Sequence, residues 1–177
     1  MFEPPVMRLL LVLQECGMRI SELLTLKRNC LIADNDGDYF LYTNQAKMNK
    51  EHTIPITIET YNVFKEQMEY VISIYGNSCE WLFPMELKSS SNKKNLRAGM
   101  PYKTRTIIEQ INRVADTAKI IGDNGEIFHF TTHMFRHTVG TRMINNGVPQ
   151  HIIQRYLGHE TPVMTSTYAH IMDSTMK

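Results

Sequence analysis

A chain of 177 residues, 42% hydrophobic and with no apolar run of 18, has the size and composition of one soluble globular domain and leaves no room for a membrane-spanning helix. Its net charge of +1 is only a weak argument for nucleic acid, affinity for which rests on Lys and Arg displacing counterions from phosphates. Cys16, Cys30 and Cys79 are odd in number and lack CxxC spacing, so neither a disulfide framework nor a cysteine-zinc cluster is suggested and buried thiols are expected.

The opening MFEPPVMRLLLVLQ has no basic lead and no small-residue cleavage site, so no signal peptide is expected and a cytoplasmic location follows. Apolar spacing predicts a buried helix over 4–16, broken at Gly17-Met18, and Ser21 is expected to cap a second short helix, SELLTL. Arg19 then sits on the corner between them. Runs of β type follow at 30–33, 38–43 and 52–56. The first two are joined by Asp34-Asn35-Asp36-Gly37, so a small antiparallel sheet is predicted, with Lys47 and Lys50 at the tip of its second connection.

Helical periodicity returns over 59–75, where Tyr61, Phe64, Met68, Val71, Ile72 and Tyr75 form a core stripe. It returns again over 104–121 through Ile107, Ile108, Ile111, Val114, Ala118 and Ile121, and ends at Asp123-Asn124-Gly125. Three short helices are expected after that. Thr132 caps the first and Gly147 closes it; Pro149 starts the second and Gly158 closes it; Thr161-Pro162 opens the third. The fold class is α+β, mainly helical, in a single domain over 1–177.

Charge is local rather than general. Residues 86–106 carry Lys88, Lys93, Lys94, Arg97, Lys103 and Arg105 against one acid, Glu86, in a stretch interleaved with Ser and Asn. That pattern suits either a solvated loop or contact with phosphates. Six of the seven histidines (His129, His133, His137, His151, His159 and His170) fall in the last fifty residues, beside Arg136, Arg142 and Arg155. Such crowding suggests a site for an anion or a metal. His133 and His137 have the i, i+4 spacing of a zinc helix, but Met134 stands where HExxH needs its carboxylate, so no metal is expected.

In register, these residues resemble the tyrosine recombinases, a family that includes phage integrases, chromosome-dimer resolving recombinases and some transposon-encoded transposases. Gly17-Met18-Arg19-Ile20-Ser21-Glu22-Leu23 is similar to the family's GxRxSEL box, and His133-Met134-Phe135-Arg136-His137-Thr138 to its HxLRHT box, with Phe in place of Leu. Leu157-Gly158-His159 resembles the LGH element, Tyr168 follows His159 by nine residues as the family's nucleophile does, and Lys47 resembles its catalytic lysine. The resemblance spans nearly the whole chain. It implies the tyrosine recombinase catalytic-core fold with a three-stranded antiparallel sheet, and double-stranded DNA as partner.

The implied chemistry needs these residue types. A phosphodiester under attack gains charge on its non-bridging oxygens, which two forked guanidiniums, Arg19 and Arg136, are suited to stabilise. Tyr168, with an ordinary pKa of about 10, must lose its proton as it attacks, and His133 is the candidate base. Lys47 is the candidate acid for the departing 5′ oxygen, with Lys50 the substitute. The family assigns phosphate contact to His159 and a supporting role to Glu22. Lys50, Lys93, Lys94, Arg97, Lys103 and Arg105 are candidate DNA contacts. The product is a 3′-phosphotyrosyl link that a free 5′ hydroxyl reseals, so no cofactor is required.

Family members carry a helical core-binding domain ahead of this region, and that domain is not in this chain, so a fragment or truncated product is expected. Such a fragment should be a monomer off DNA, whereas the full-length protein should form a tetramer on it. Three other functions compete. A type IB topoisomerase shares the catalytic set but relaxes supercoils; a non-catalytic DNA-binding regulator would use the helices between 133 and 157 and tolerate loss of Tyr168 and Arg19; a zinc hydrolase would hold stoichiometric metal.

Overall fold

The computed structural model describes residues 4–45, 50–85 and 99–159. Helix α1 spans Pro4–Cys16 and buries Leu9, Val12, Leu13 and Cys16, an i, i+3, i+4, i+7 stripe that makes it the centre of the core. Gly17 closes it at φ +59. Helix α2, Ile20–Leu24, has its cap two residues earlier than expected: Arg19, not Ser21, stands there, and Glu22 Oε2 accepts the Arg19 backbone N–H at 3.3 Å. An acidic residue three places into a helix can satisfy an orphan donor this way whatever the cap residue is.

Strands β1 (Leu31–Ala33), β2 (Tyr39–Gln45) and β3 (Lys50–Ile56) form an antiparallel sheet in the order β1-β2-β3. Asp34 builds the first turn by accepting the N–H groups of Asp36 and Asp38 on Oδ1. Register is fixed where Leu41 faces Ile54, both buried. The second hairpin is longer than predicted, so Lys50 pairs with Gln45 inside the ladder rather than standing at the tip.

Helix α3, Ile58–Tyr75, is capped by Thr57, and α4 spans Thr104–Ala118. Three residues of the expected core stripes, Ile72, Ala118 and Ile121, are exposed. Ile72 is exposed, and the buried positions of α3 are Thr60, Phe64, Gln67 and Val71; the amide of Gln67 is satisfied by donating to the Leu82 carbonyl at 2.9 Å and accepting from Arg8 at 3.2 Å. Helix α4 ends at Lys119, whose left-handed φ of 50 stops it three residues early, so Ile121 lies outside the helix and is 56% exposed. Asp123-Asn124-Gly125 is instead the turn of a small loop bridged by Ile121 and Ile127.

Helix α5 spans Thr132–Asn145, with Thr131 rather than Thr132 at its cap, and α6 spans Gln150–Leu157, closed by Gly158 in the left-handed conformation. α1 packs against both α3 and α5, and α6 lies on α5 through Val139, Ile153 and Leu157. The helix expected from Thr161 lies outside the described residues. All three cysteines are free and buried as expected, and burial pushes the thiols of Cys16 and Cys30 up to about 12. No helix among the described residues is long and apolar enough to cross a membrane.

Candidate active site

Three chain segments far apart in sequence meet at one place, and main-chain carbonyls do the joining. Arg19 leaves the α1–α2 corner with its backbone extended; its Nη1 donates to Glu22 Oε1 at 2.8 Å and its Nη2 to the Gly158 carbonyl at 3.3 Å. Arg136, in the second turn of α5, is 3% exposed; its Nη1 donates to the Gly17 carbonyl at 3.0 Å and its Nη2 to the Leu157 carbonyl. Those carbonyls belong to the segments that carry Arg19 and His159. Each guanidinium thus bonds a neighbouring segment; the carbonyls on Arg136 are neutral and leave its charge intact, whereas Glu22 pairs with Arg19.

Gly17 is where the sequence permits this approach. A Cβ at that position would come within 2.9 Å of Val139 Cβ on α5, so only glycine lets the α1–α2 corner sit against α5 with its carbonyl toward Arg136.

Two imidazoles complete the described part of the site. His133 lies in the first turn of α5, and its pKa is lowered by partial burial and then by the positive charges of Arg136, His137 and Arg19. His159 follows the α6 closure, its backbone N–H held by the Gln154 carbonyl at 2.9 Å, and its pKa is pushed down to about 4 by burial, then by Arg136, Arg19 and His133. Both rings are therefore neutral near pH 7, fit to accept a proton or donate one hydrogen bond. Arg19 and Arg136 against Glu22 leave a charge of +1 among these groups, which complements a singly charged phosphodiester.

The structure brings together Arg19, Glu22, His133, Arg136 and His159. Lys47, Tyr168, Lys93, Lys94 and Arg97 lie outside the described residues, and Lys50 opens β3. Lys103 stands exposed at the start of α4, and Arg105 in its first turn donates to Glu109 at 2.6 Å, so that guanidinium is already engaged by a carboxylate. Among the described residues no group of three or more His, Cys, Asp or Glu side chains is placed to hold a metal.

Sequence reasoning passed over His52, the seventh histidine. It stands on β3, half-buried, and its Nε2 lies 2.9 Å from the Arg155 carbonyl. Period-two alternation held the signal, because His52 falls on the same face as the inward Ile54 and Ile56.

What the fold and these residues define is a helix-rich domain in which two guanidiniums, one carboxylate and two imidazoles meet. The phage integrase family model matches residues 6–175, and the chain belongs to that family. It is 49% identical over 167 residues to "Transposase B from transposon Tn554" of Staphylococcus aureus strain Mu50, covering 94% of this chain and 25% of that protein. It is 30% identical over 165 residues to a "Tyrosine recombinase" of Agathobacter rectalis, covering 91% of this chain and 46% of that one. The fold is similar to that of the XerH site-specific recombinase bound to palindromic difH substrate in a post-cleavage complex, with a TM-score of 0.72 at 19% identity over 98% of this chain and 44% of that one. The chain thus spans a quarter to a half of the length of these proteins.

Proposed function

We propose that this chain is the catalytic domain of an enzyme that cuts and rejoins DNA strands through a 3′-phosphotyrosyl intermediate, in transposition, integration or resolution. The observation that carries the reading is the mutual anchoring of Arg19 and Arg136 on the Gly158, Gly17 and Leu157 carbonyls, which gathers two guanidiniums beside the turn that carries His159. Transposase B of Tn554, at 49% identity, favours transposition among the three.

In this mechanism the scissile phosphate sits between the two guanidiniums, with the His159 ring donating to a non-bridging oxygen. The Tyr168 hydroxyl attacks phosphorus and gives its proton to neutral His133, while the bond to the 5′ oxygen breaks and Lys47 protonates that oxygen. Charge accumulating on the non-bridging oxygens is met by donors already in place, so little reorganisation is needed at the transition state. Glu22 keeps Arg19 in its orientation. Reversal with a different 5′ hydroxyl rejoins the strand, and the phosphotyrosyl bond conserves the energy of the one broken. Double-stranded DNA is the partner; four protomers on DNA and a single one away from it complete the proposal.

The test is a duplex nicked beside the cleavage position, so that the cut fragment diffuses away and the covalent product accumulates. Such substrates are obtained by covalent capture from a pool randomised around the nick. A protein-DNA adduct stable to denaturant is expected with the native chain, and none with Tyr168→Phe. Undiminished adduct with Tyr168→Phe would remove the tyrosine from the mechanism.

A further inference from the structure

His52 is a polar side chain that ties the sheet to the site. It projects from β3 opposite Thr43, on the inward face beside Ile54, and crosses to the end of α6. Because a carbonyl oxygen only accepts, the 2.9 Å contact with Arg155 requires the hydrogen on Nε2, which fixes the tautomer. Burial lowers the His52 pKa, Arg136 and Arg19 add to that effect, and the Arg155 carbonyl and Glu22 oppose it. The ring is therefore neutral near pH 7, as a single-donor anchor should be, and it lies within the field of the same three charges that line the site.

The carbonyl that His52 holds has a particular place in the chain. Arg155 O also accepts the Gly158 N–H at 3.1 Å, so one oxygen closes α6 and fixes the orientation of Gly158. Gly158 in turn presents its carbonyl to Arg19, Leu157 presents its carbonyl to Arg136, and His159 is the next residue. Among the groups that hold the turn over 155–159 are two guanidiniums that must also serve the phosphate, one imidazole on a third element, and the Gln154 amide, which donates to the His159 carbonyl at 3.4 Å. When DNA draws N–H groups of Arg19 and Arg136 toward phosphate oxygens, the imidazole still holds the turn.

Resting on the strand-transfer reading above, we propose that His52 is a positioning residue of the reaction, which locks the 155–159 turn through the Arg155 carbonyl and so sets His159 and the Arg19 fork on the scissile phosphate. Misplacement of donors by about 1 Å costs on the order of a hundredfold in rate when the donors act at the transition state. Loss of the anchor should therefore be read in the chemical step and not in DNA affinity.

The test is single-turnover adduct formation at saturating nicked duplex, selected as described above, with His52→Leu and His52→Gln compared. The two replacements are close in size, but only glutamine offers an N–H where Nε2 stood. His52→Leu should slow adduct formation by about tenfold or more with duplex affinity within about twofold of native, and His52→Gln should recover most of that rate. In a His159→Ala background, His52→Leu should slow the reaction by a smaller factor than it does in the native background, because the part of its effect that runs through His159 is already lost. Equal rates for the glutamine and leucine variants would overturn the proposal, as would full multiplication of the two defects in the double variant. Native protein that forms no adduct at all would overturn the strand-transfer reading and this inference with it, whereas native adduct with an indifferent His52 would overturn this inference alone.

Discussion

Arg136 shows how one residue draws a site together. Its side chain is 3% exposed yet charged, and burial of a guanidinium is tolerable because carbonyls from two other segments accept its N–H groups. Gly17 is the other half of that contact. Gly17→Ala places a β carbon 2.9 Å from Val139 Cβ and forces a left-handed conformation on an L-residue, together about 2–4 kcal/mol of destabilisation. Urea unfolding should show a midpoint shift of that size, and cleavage should fall further than stability, because the Arg136 anchor moves with the corner.

His159 makes stability depend on pH in a defined direction. Its pKa is 6.5 ordinarily and about 4 in the fold. As pH falls below 6.5 the unfolded chain takes up a proton that the folded chain refuses until about pH 4, so stability is lost through that window and the loss levels off below it. His52 and His133, lowered in the same direction, add to the loss. In thermal melts between pH 7 and pH 4.5, His159→Asn should flatten the decline relative to the native chain; an unchanged slope would mean that His159 titrates normally in the fold.

At the scale of elements, α3 does more than supply an apolar stripe. Gln67, fully buried, binds the Leu82 carbonyl and Arg8, and so stitches the segment after α3 to α1. Gln67→Leu keeps the volume but leaves a buried carbonyl and a guanidinium N–H without that partner, a cost of about 1–3 kcal/mol readable as a lower urea midpoint. A neutral or stabilising outcome would mean that water reaches Leu82.

The same helix shows where sequence periodicity stops informing. Spacings of three and four placed Phe64 and Val71 correctly in the core, but they counted Ile72 as core and passed over Gln67, because periodicity reads apolarity and not hydrogen-bond partners supplied from elsewhere in the chain. Helix ends followed a similar rule. Gly158 and Gly17 were legible as stops because a positive φ suits glycine, whereas Lys119, a non-glycine residue at φ 50, gave no signal and α4 was read too long. The sheet order followed from its turns; the extent of the second hairpin, and with it the place of Lys50, depends on cross-strand pairing that composition does not encode.

Over the whole molecule, the site draws on both ends of the described chain. Arg19 and His159 are 140 residues apart in sequence, yet one hydrogen bond joins Arg19 to the residue before His159. Box spacing made the five described site residues legible; His52 was not, because a lone histidine in a strand has no motif and its partner is a main-chain carbonyl 103 residues away. Away from DNA the chain should sediment as a monomer at micromolar concentration, and a stable dimer would contradict that assignment.

The most direct measurement is mass spectrometry of the covalent adduct after exhaustive nuclease and protease digestion. A nucleotide joined through its 3′ phosphate to the Tyr168 phenol oxygen is the expected product. The same remnant on another residue, or an adduct linked through a 5′ phosphate, would contradict it.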